Sequence, residues 1–158
     1  MPLSNFKKVI SILLLTFSII ACTNPNTAVS TDMKPPTITL EEYLTKQNIQ
    51  DTIKTKEGMY IQIENEGSEE KPTLNSKITI NYKGYLLDHT VFDETDGDPR
   101  TFSLNKLISG WKIGIPYIGK GGKCKLIIPP HIGYGPNDSG PIPGNSVLVF
   151  DIELVDFN

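Results

Sequence analysis
After Gly58 the chain alternates apolar with polar residues: Met59, Ile61 and Ile63 interleave with Tyr60, Gln62 and Glu64 ahead of an Asn65-Glu66-Gly67 turn. Alternation puts successive side chains on opposite faces of a pleated strand, so one face of this segment is set for burial. Ile78, Ile80 and Tyr82 repeat the pattern against Thr79, Asn81 and Lys83; Gly84 interrupts it, and Tyr85 to Leu87 resume it before a turn at Asp88-His89. That reads as a bent strand entering a hairpin. Lys123 to Ile128 and Val147 to Asp156 supply two more strands. In the second, Leu148, Phe150, Ile152 and Leu154 face one way and Asp151 and Glu153 the other. About four or five antiparallel strands are expected.

Between the strands the period becomes helical. Leu107, Ile108, Trp111, Ile115 and Ile118 share one helical face up to Gly119, with Gly121-Gly122 beyond as stop signals. The spacing predicts one amphipathic helix packed on the concave face of the sheet. Upstream, Thr39 followed by Glu42 fits a capping box, and Leu40, Tyr43 and Leu44 share a face. A short helix fits there, as does a partly ordered extension of the preceding linker. Strands in runs with a single segregated helix define an α+β domain.

The N-terminus follows other rules. Lys7-Lys8 precede a thirteen-residue apolar run from Val9 to Ala21, diluted by Ser11, Thr16 and Ser18. This is shorter than the ~20 residues of a spanning helix and has the form of a signal peptide. The run ends Ile19-Ile20-Ala21-Cys22, which resembles a bacterial lipobox and implies diacylglycerol on the Cys22 sulfur with cleavage before it. An ordinary cleavable leader with an incidental Cys22 is the alternative. Residues 1–21 are then leader and 22–38 a tether, whose prolines Pro25, Pro35 and Pro36 and lack of apolar period suit a spacer. Thr23 after Cys22 offers no acidic retention signal, so an anchor in the outer membrane is favoured over the inner.

Composition narrows the chemistry. With 158 residues, 38% hydrophobic and 21% charged, the chain can bury one ordinary core. Loss of the leader removes Lys7 and Lys8 and leaves 13 basic against 18 acidic residues, a balance that gives nucleic acid no footing. Lipid on Cys22 would leave Cys124 as the sole thiol, with no disulfide to form. His89 and His131 have no metal-ligand spacing, and Gly119-Lys120-Gly121-Gly122-Lys123 lacks the strand-loop-helix context of a phosphate loop. No metal, cofactor or nucleophile is expected.

The motifs that remain are aromatic and apolar. Asn81-Tyr82-Lys83-Gly84-Tyr85-Leu86, Val91-Phe92-Asp93, Leu107-Ile108-Ser109-Gly110-Trp111, Ile132-Gly133-Tyr134-Gly135, Ile142-Pro143 and Leu148-Val149-Phe150-Asp151-Ile152-Glu153-Leu154 follow one another in this order. In order and spacing they resemble the FKBP-type peptidyl-prolyl cis/trans isomerases, over residues 75–158. Residues 39–74 hold a short helix and entry strand, and the stretch from Tyr43 to Ile63 within them looks like the entry segment of lipoprotein members.

The resemblance implies an FKBP-like half-barrel sheet wrapped around the amphipathic helix, with an apolar pocket between them. Carried over position by position, Tyr82, Phe92, Asp93, Ile108, Trp111, Tyr134 and Phe150 are its catalytic residues, and Phe102, Leu107 and Ile142 complete the substrate-binding wall. Trp111 would be the floor. The Ile108 N–H and the Tyr134 hydroxyl would donate to substrate carbonyls, and Asp93 would orient the rim. Implied partners are proline-containing polypeptide clients, the membrane through a lipid anchor, and macrolide ligands. A cell-envelope isomerase that assists folding of exported proteins is the expected function; a non-catalytic binding or scaffold lipoprotein with the same pocket is the alternative. Taken singly, Tyr82, Phe92, Trp111 and Phe150 read equally well as core aromatics. Three positions depart from the family pattern. His89 replaces a turn glycine, Arg100 stands where an apolar residue can close a pocket wall, and Gly144 replaces a proline in the loop over the site.

Overall fold
In the computed structural model, which describes residues 38–158, Thr39 caps a short helix, α1 (Leu40–Lys46). The Thr39 hydroxyl accepts from the Glu42 N–H at 3.2 Å, and the Glu42 carboxylate accepts from the Thr39 N–H at 2.9 Å. This reciprocal box satisfies two otherwise orphaned donors. The expected leader, Cys22 and nearly all of the tether lie outside the described residues.

Seven strands follow: β1 (Thr52–Lys54), β2 (Tyr60–Asn65), β3 (Lys77–Leu86), β4 (Val91–Glu94), β5 (Arg100–Ser103), β6 (Lys123–Ile128) and β7 (Leu148–Phe157). They form one antiparallel sheet in the order β1-β2-β6-β7-β3-β4, with β5 also paired to β3. The bent strand expected around Gly84 is the single long strand β3. The sheet exceeds the four or five strands expected because β1, β4 and β5 are short edge segments with largely exposed side chains, and these show no alternation.

The inner face carries Ile78, Ile80 and Tyr82 from β3, Leu126 and Ile128 from β6, and Leu148, Phe150, Ile152 and Leu154 from β7, all buried in one cluster. Against it lies α2 (Ser109–Gly114), which contributes Trp111, followed by a 3₁₀ turn from Ile115 to Tyr117. The helix expected from Leu107 to Ile118 is therefore shorter. Ile108 is extended at the N-cap, and Pro116, which lacks the N–H a longer helix would use, falls in the 3₁₀ turn. Gly110 and Gly114 let α2 sit close on β6: a Cβ on either would come within 2.6 Å of Ile128 or Leu126 side-chain atoms. That close seat fixes the height of Trp111 above the sheet.

The outer face has its own apolar layer, which α1 covers. Tyr43 is buried with Tyr85 of β3, Ile127 of β6 and Val149 of β7, and Leu40, Leu44 and Leu87 pack around them. Among the described residues no helix is long and apolar enough to cross a membrane.

Candidate active site
Three inward-facing rings from three elements meet edge to face. The Tyr82 and Trp111 centroids lie 5.2 Å apart, and those of Trp111 and Phe150 5.1 Å apart. Phe102 joins from β5 at 6.3 Å from Tyr82 and 6.4 Å from Trp111, and Phe92 from β4 at 5.4 Å from Phe150. Aromatic pairs in this geometry contribute ~0.5–1.5 kcal/mol each beyond the area they bury. Trp111 and Phe150 are buried while Phe92 and Phe102 are half-buried, so the cluster is a cup with a closed floor and an open rim. Leu107, Ile108 and Ile142 pack into the same cluster. The indole N–H of Trp111 is buried with no hydrogen-bond partner among the described residues.

Gly84 makes room for this arrangement. It pairs in register with Asp93 on one side and Phe150 on the other, and a Cβ there would lie 2.6 Å from Phe92 Cε2 and 2.7 Å from Phe150 Cε1. Any side chain larger than hydrogen would drive the two rings apart.

One side of the rim is charged. The Tyr82 hydroxyl donates a short hydrogen bond to Asp93, and the Arg100 guanidinium donates to both, at 3.1 Å to the Tyr82 oxygen and 3.2 Å to Asp93 Oδ1. Its second nitrogen donates to the Glu94 carbonyl at 3.0 Å. Arg100 is thus tied at three points and lies 5.9 Å from the centre of the Tyr82 ring. The β5 register sets Arg100 opposite Ile80, two residues from Tyr82, where it becomes part of the rim. Burial first, and then Asp93, push the Tyr82 phenol up to about 12, so it remains a neutral donor across the working pH range. Thr95, which sequence reasoning missed, accepts from the Tyr82 N–H at 3.0 Å and holds the strand beneath the ring.

Tyr134 is exposed on the loop after the 3₁₀ turn from Pro130 to Ile132 and is not among the residues packed into the aromatic cluster. Partial burial and then the charge of Asp93 raise its phenol pKa, and its hydroxyl makes no hydrogen bond among the described residues. Ile108 caps α2 with its carbonyl, which accepts from Trp111 at 3.1 Å and Lys112 at 3.3 Å, while its own N–H takes no part in these bonds. The loop at Gly144 is tied down, its N–H donating to Asp138 Oδ1 at 2.7 Å. Among the described residues no cluster of His, Cys, Asp and Glu could hold a metal ion. Cys124 is buried on β6, its thiol pushed up to about 12 by burial, which makes it a packing group and not a nucleophile.

A half-barrel wrapped on a short helix, with an aromatic cup floored by a tryptophan and rimmed by a Tyr-Asp-Arg triad, defines a fold and a site class together. A family model described as FKBP-type peptidyl-prolyl cis-trans isomerase matches residues 68–155. The chain belongs to that family. Among relatives it is similar to the FKBP-type peptidyl-prolyl cis-trans isomerase FkpA of Buchnera aphidicola subsp. Schizaphis graminum, 50% identical over 106 residues, which are 65% of this chain and 42% of the relative. It is also similar to FkpA of Escherichia coli strain K12, 42% identical over 119 residues, 73% of this chain and 44% of the relative. The chain spans less than half the length of these curated relatives. Among solved structures, FkpA from Escherichia coli superposes with a TM-score of 0.69 at 40% identity, covering 75% of this chain and 57% of that one. A peptidyl-prolyl cis-trans isomerase from Pseudomonas syringae pv. tomato gives 0.66 at 28% identity, covering 75% and 90%.

Proposed function
We propose that this chain catalyses cis/trans isomerisation of X–Pro peptide bonds in polypeptide clients. The observation that carries the reading is the convergence of Tyr82, Trp111 and Phe150 beneath a rim whose hydrogen bonds join Tyr82, Asp93 and Arg100. Rotation about a peptide bond is opposed by ~18–20 kcal/mol of lost amide resonance, and no proton or electron pair changes hands. Such a reaction calls for a shaped, water-poor surface and fixed dipoles in place of an acid, base or nucleophile.

In this reading the proline ring enters the cup above Trp111, between Phe92, Phe102 and Phe150. Phe102, Leu107 and Ile142 complete its wall. The twisted amide separates less charge than the planar one, so an apolar cup stabilises the twisted state relative to the planar ground state. The Ile108 N–H and the Tyr134 hydroxyl donate to client carbonyls flanking the bond. Asp93 and Arg100 hold the Tyr82 ring and present a fixed field to the rotating carbonyl, with no reorganisation needed as it turns. Proline-limited refolding of an unfolded client is the test. Added chain should shorten the slow phase without metal or nucleotide, and a folded chain that leaves it unchanged would favour a binding module that uses the same cup.

We place the chain in the bacterial cell envelope, where it would act on exported polypeptides. Lys7-Lys8, the apolar run to Ala21 and Cys22 support a lipoprotein leader cleaved before a lipidated Cys22, with residues 22–38 as tether and the outer membrane as the favoured site. Two or three acyl chains on Cys22 would suffice for stable anchoring. Mass spectrometry of the membrane fraction should find acyl mass on Cys22, and Cys22→Ser should abolish it; an unmodified N-terminus in a lipoprotein-competent host would refute the anchor. The apolar cup also suits macrolide ligands, which should compete with peptide for Trp111.

A further inference from the structure
The hairpin that delivers Phe92 and Asp93 to the rim is tied to the opposite face of the sheet. Its loop, Leu87-Asp88-His89, closes with His89 N–H on the Leu86 carbonyl at 2.9 Å and Leu86 N–H on the Thr90 carbonyl at 3.0 Å. The Asp88 carboxylate accepts from the Thr90 N–H at 2.9 Å. This is a three-residue loop whose last position must be left-handed, and His89 has φ 68°. Glycine takes that conformation at no steric cost, whereas histidine, with a Cβ, takes it at a modest one. Strain of this kind persists where the side chain does something that repays it.

The His89 ring stacks on Tyr85 at 5.7 Å with 19° between planes, and lies 5.9 Å from Tyr43 of α1. Gln47 Nε2, at the C-cap of α1, lies 3.3 Å from His89 Nε2. Tyr85 is itself fixed: Lys125 Nζ donates to its hydroxyl at 2.8 Å and pairs with Asp151. Only Thr90 and Val91 separate His89 from Phe92. Among the described residues β4 has β3 as its sole strand partner, and their register shifts between Gly84 and Tyr85. At that irregularity Gly84 abuts Phe92 and Phe150 on the inner face, while Tyr85 meets α1 and His89 on the outer.

We propose that His89 is a positioning residue for the site: stacked on Tyr85 and bonded to α1, it holds the β3–β4 loop and thereby the placement of Phe92 and Asp93 over the cup. This makes α1, on the far face of the sheet, part of the support of the site. The catalytic half of the proposal rests on the isomerase reading; the half that concerns the order of β4 does not.

Two substitutions in the full chain separate this from a plain stability role. His89→Gly relaxes φ but removes the ring, and Gln47→Ala removes only an exposed hydrogen bond to it. Amide hydrogen exchange at Phe92 and Asp93 should quicken roughly threefold to tenfold in His89→Gly and less in Gln47→Ala, with β6 amides unchanged. The double variant should be no worse than His89→Gly, since both act through one contact. kcat/KM should fall about threefold in His89→Gly at a nearly unchanged melting temperature, and His89→Asn, which tolerates the loop conformation and keeps a polar partner for Gln47, should recover part of it. Wild-type exchange at Phe92 and Asp93 in His89→Gly, or effects that multiply in the double variant, would overturn the proposal. A wild-type chain that leaves peptide isomerisation at its uncatalysed rate would instead refute the isomerase reading, and the exchange data would then decide the His89 proposal by themselves.

Discussion
Tyr82 donates its hydroxyl to Asp93, and the two are joined a second time through Arg100, which donates to both. Asp93 is thus a rim residue with half its side chain in solvent, bound to a buried ring that touches the Trp111 floor. Asp93→Asn keeps the size of the group and removes its charge. If Asp93 acts on the rotating amide as proposed, this variant should melt near the wild-type temperature yet lose about tenfold in kcat/KM. Thermal melts and kinetics on one preparation decide it, and an unchanged kcat/KM would leave the cup acting through shape and desolvation alone.

Phe150 behaves differently because it serves fold and site at once. It is 3% exposed, lies in register with Gly84 and Leu126, and packs against Tyr82, Phe92 and Trp111. Phe150→Ala should destabilise the chain by ~3–5 kcal/mol and abolish most activity per folded molecule. Denaturant unfolding gives the first quantity, and active-site-normalised kinetics give the second.

Gly84→Ala adds one methyl at the closest approach of two rings. With Phe92 and Phe150 atoms 2.6 and 2.7 Å from the new Cβ, the rings must move, at a cost of ~1–3 kcal/mol. Phe92 sits on the shorter strand and should yield first. Activity should fall further than stability, and a variant indistinguishable from wild type in both would show that β4 accommodates the methyl without disturbing the cup.

Alkaline pH should unfold the chain through its buried phenols. Burial is the leading cause that pushes Tyr82 and Tyr85 up to about 12 from an unfolded value of 10.0, and Tyr43 is raised as well. Because folding favours the neutral form of these groups, their stabilising contribution is complete below pH 10.0 and is lost as pH rises toward 12. Tyrosinate absorbance and circular dichroism followed together should show phenolate from these residues appearing with loss of structure. Phenolate from all of them in a chain that retains its native spectrum would contradict the burial.

The strands that could be read in the sequence are those whose alternation reports a half-buried face: β2, β3, β6 and β7. The capping box of α1 could be read too, since Thr39 and Glu42 are local partners. What could not be read depends on contacts distant in sequence. Arg100 looks like a surface charge until β5 pairs with β3 and sets it beside Tyr82. β4 and β5 exist because β3 offers them an edge, and nothing in Val91–Glu94 or Arg100–Ser103 alternates strongly enough to announce it. The helix around Trp111 was legible as a face but not as a length, although Pro116 carried the signal that it stops. The second apolar layer, beneath α1, was invisible because Tyr85, Ile127 and Val149 occupy positions whose alternation assigns them to solvent.

On the proposed function, the aromatic cup turns prolyl bonds. Magnetisation exchange between the cis and trans prolyl signals of a short peptide with an apolar residue before proline measures this directly, with the chain present in catalytic amount. Uncatalysed interconversion takes tens to hundreds of seconds at 25 °C. Exchange should become fast on the seconds scale with wild-type chain and slow again on addition of a macrolide that occupies the cup. Exchange that stays at the uncatalysed rate, with the chain shown folded and the peptide shown bound, would contradict it.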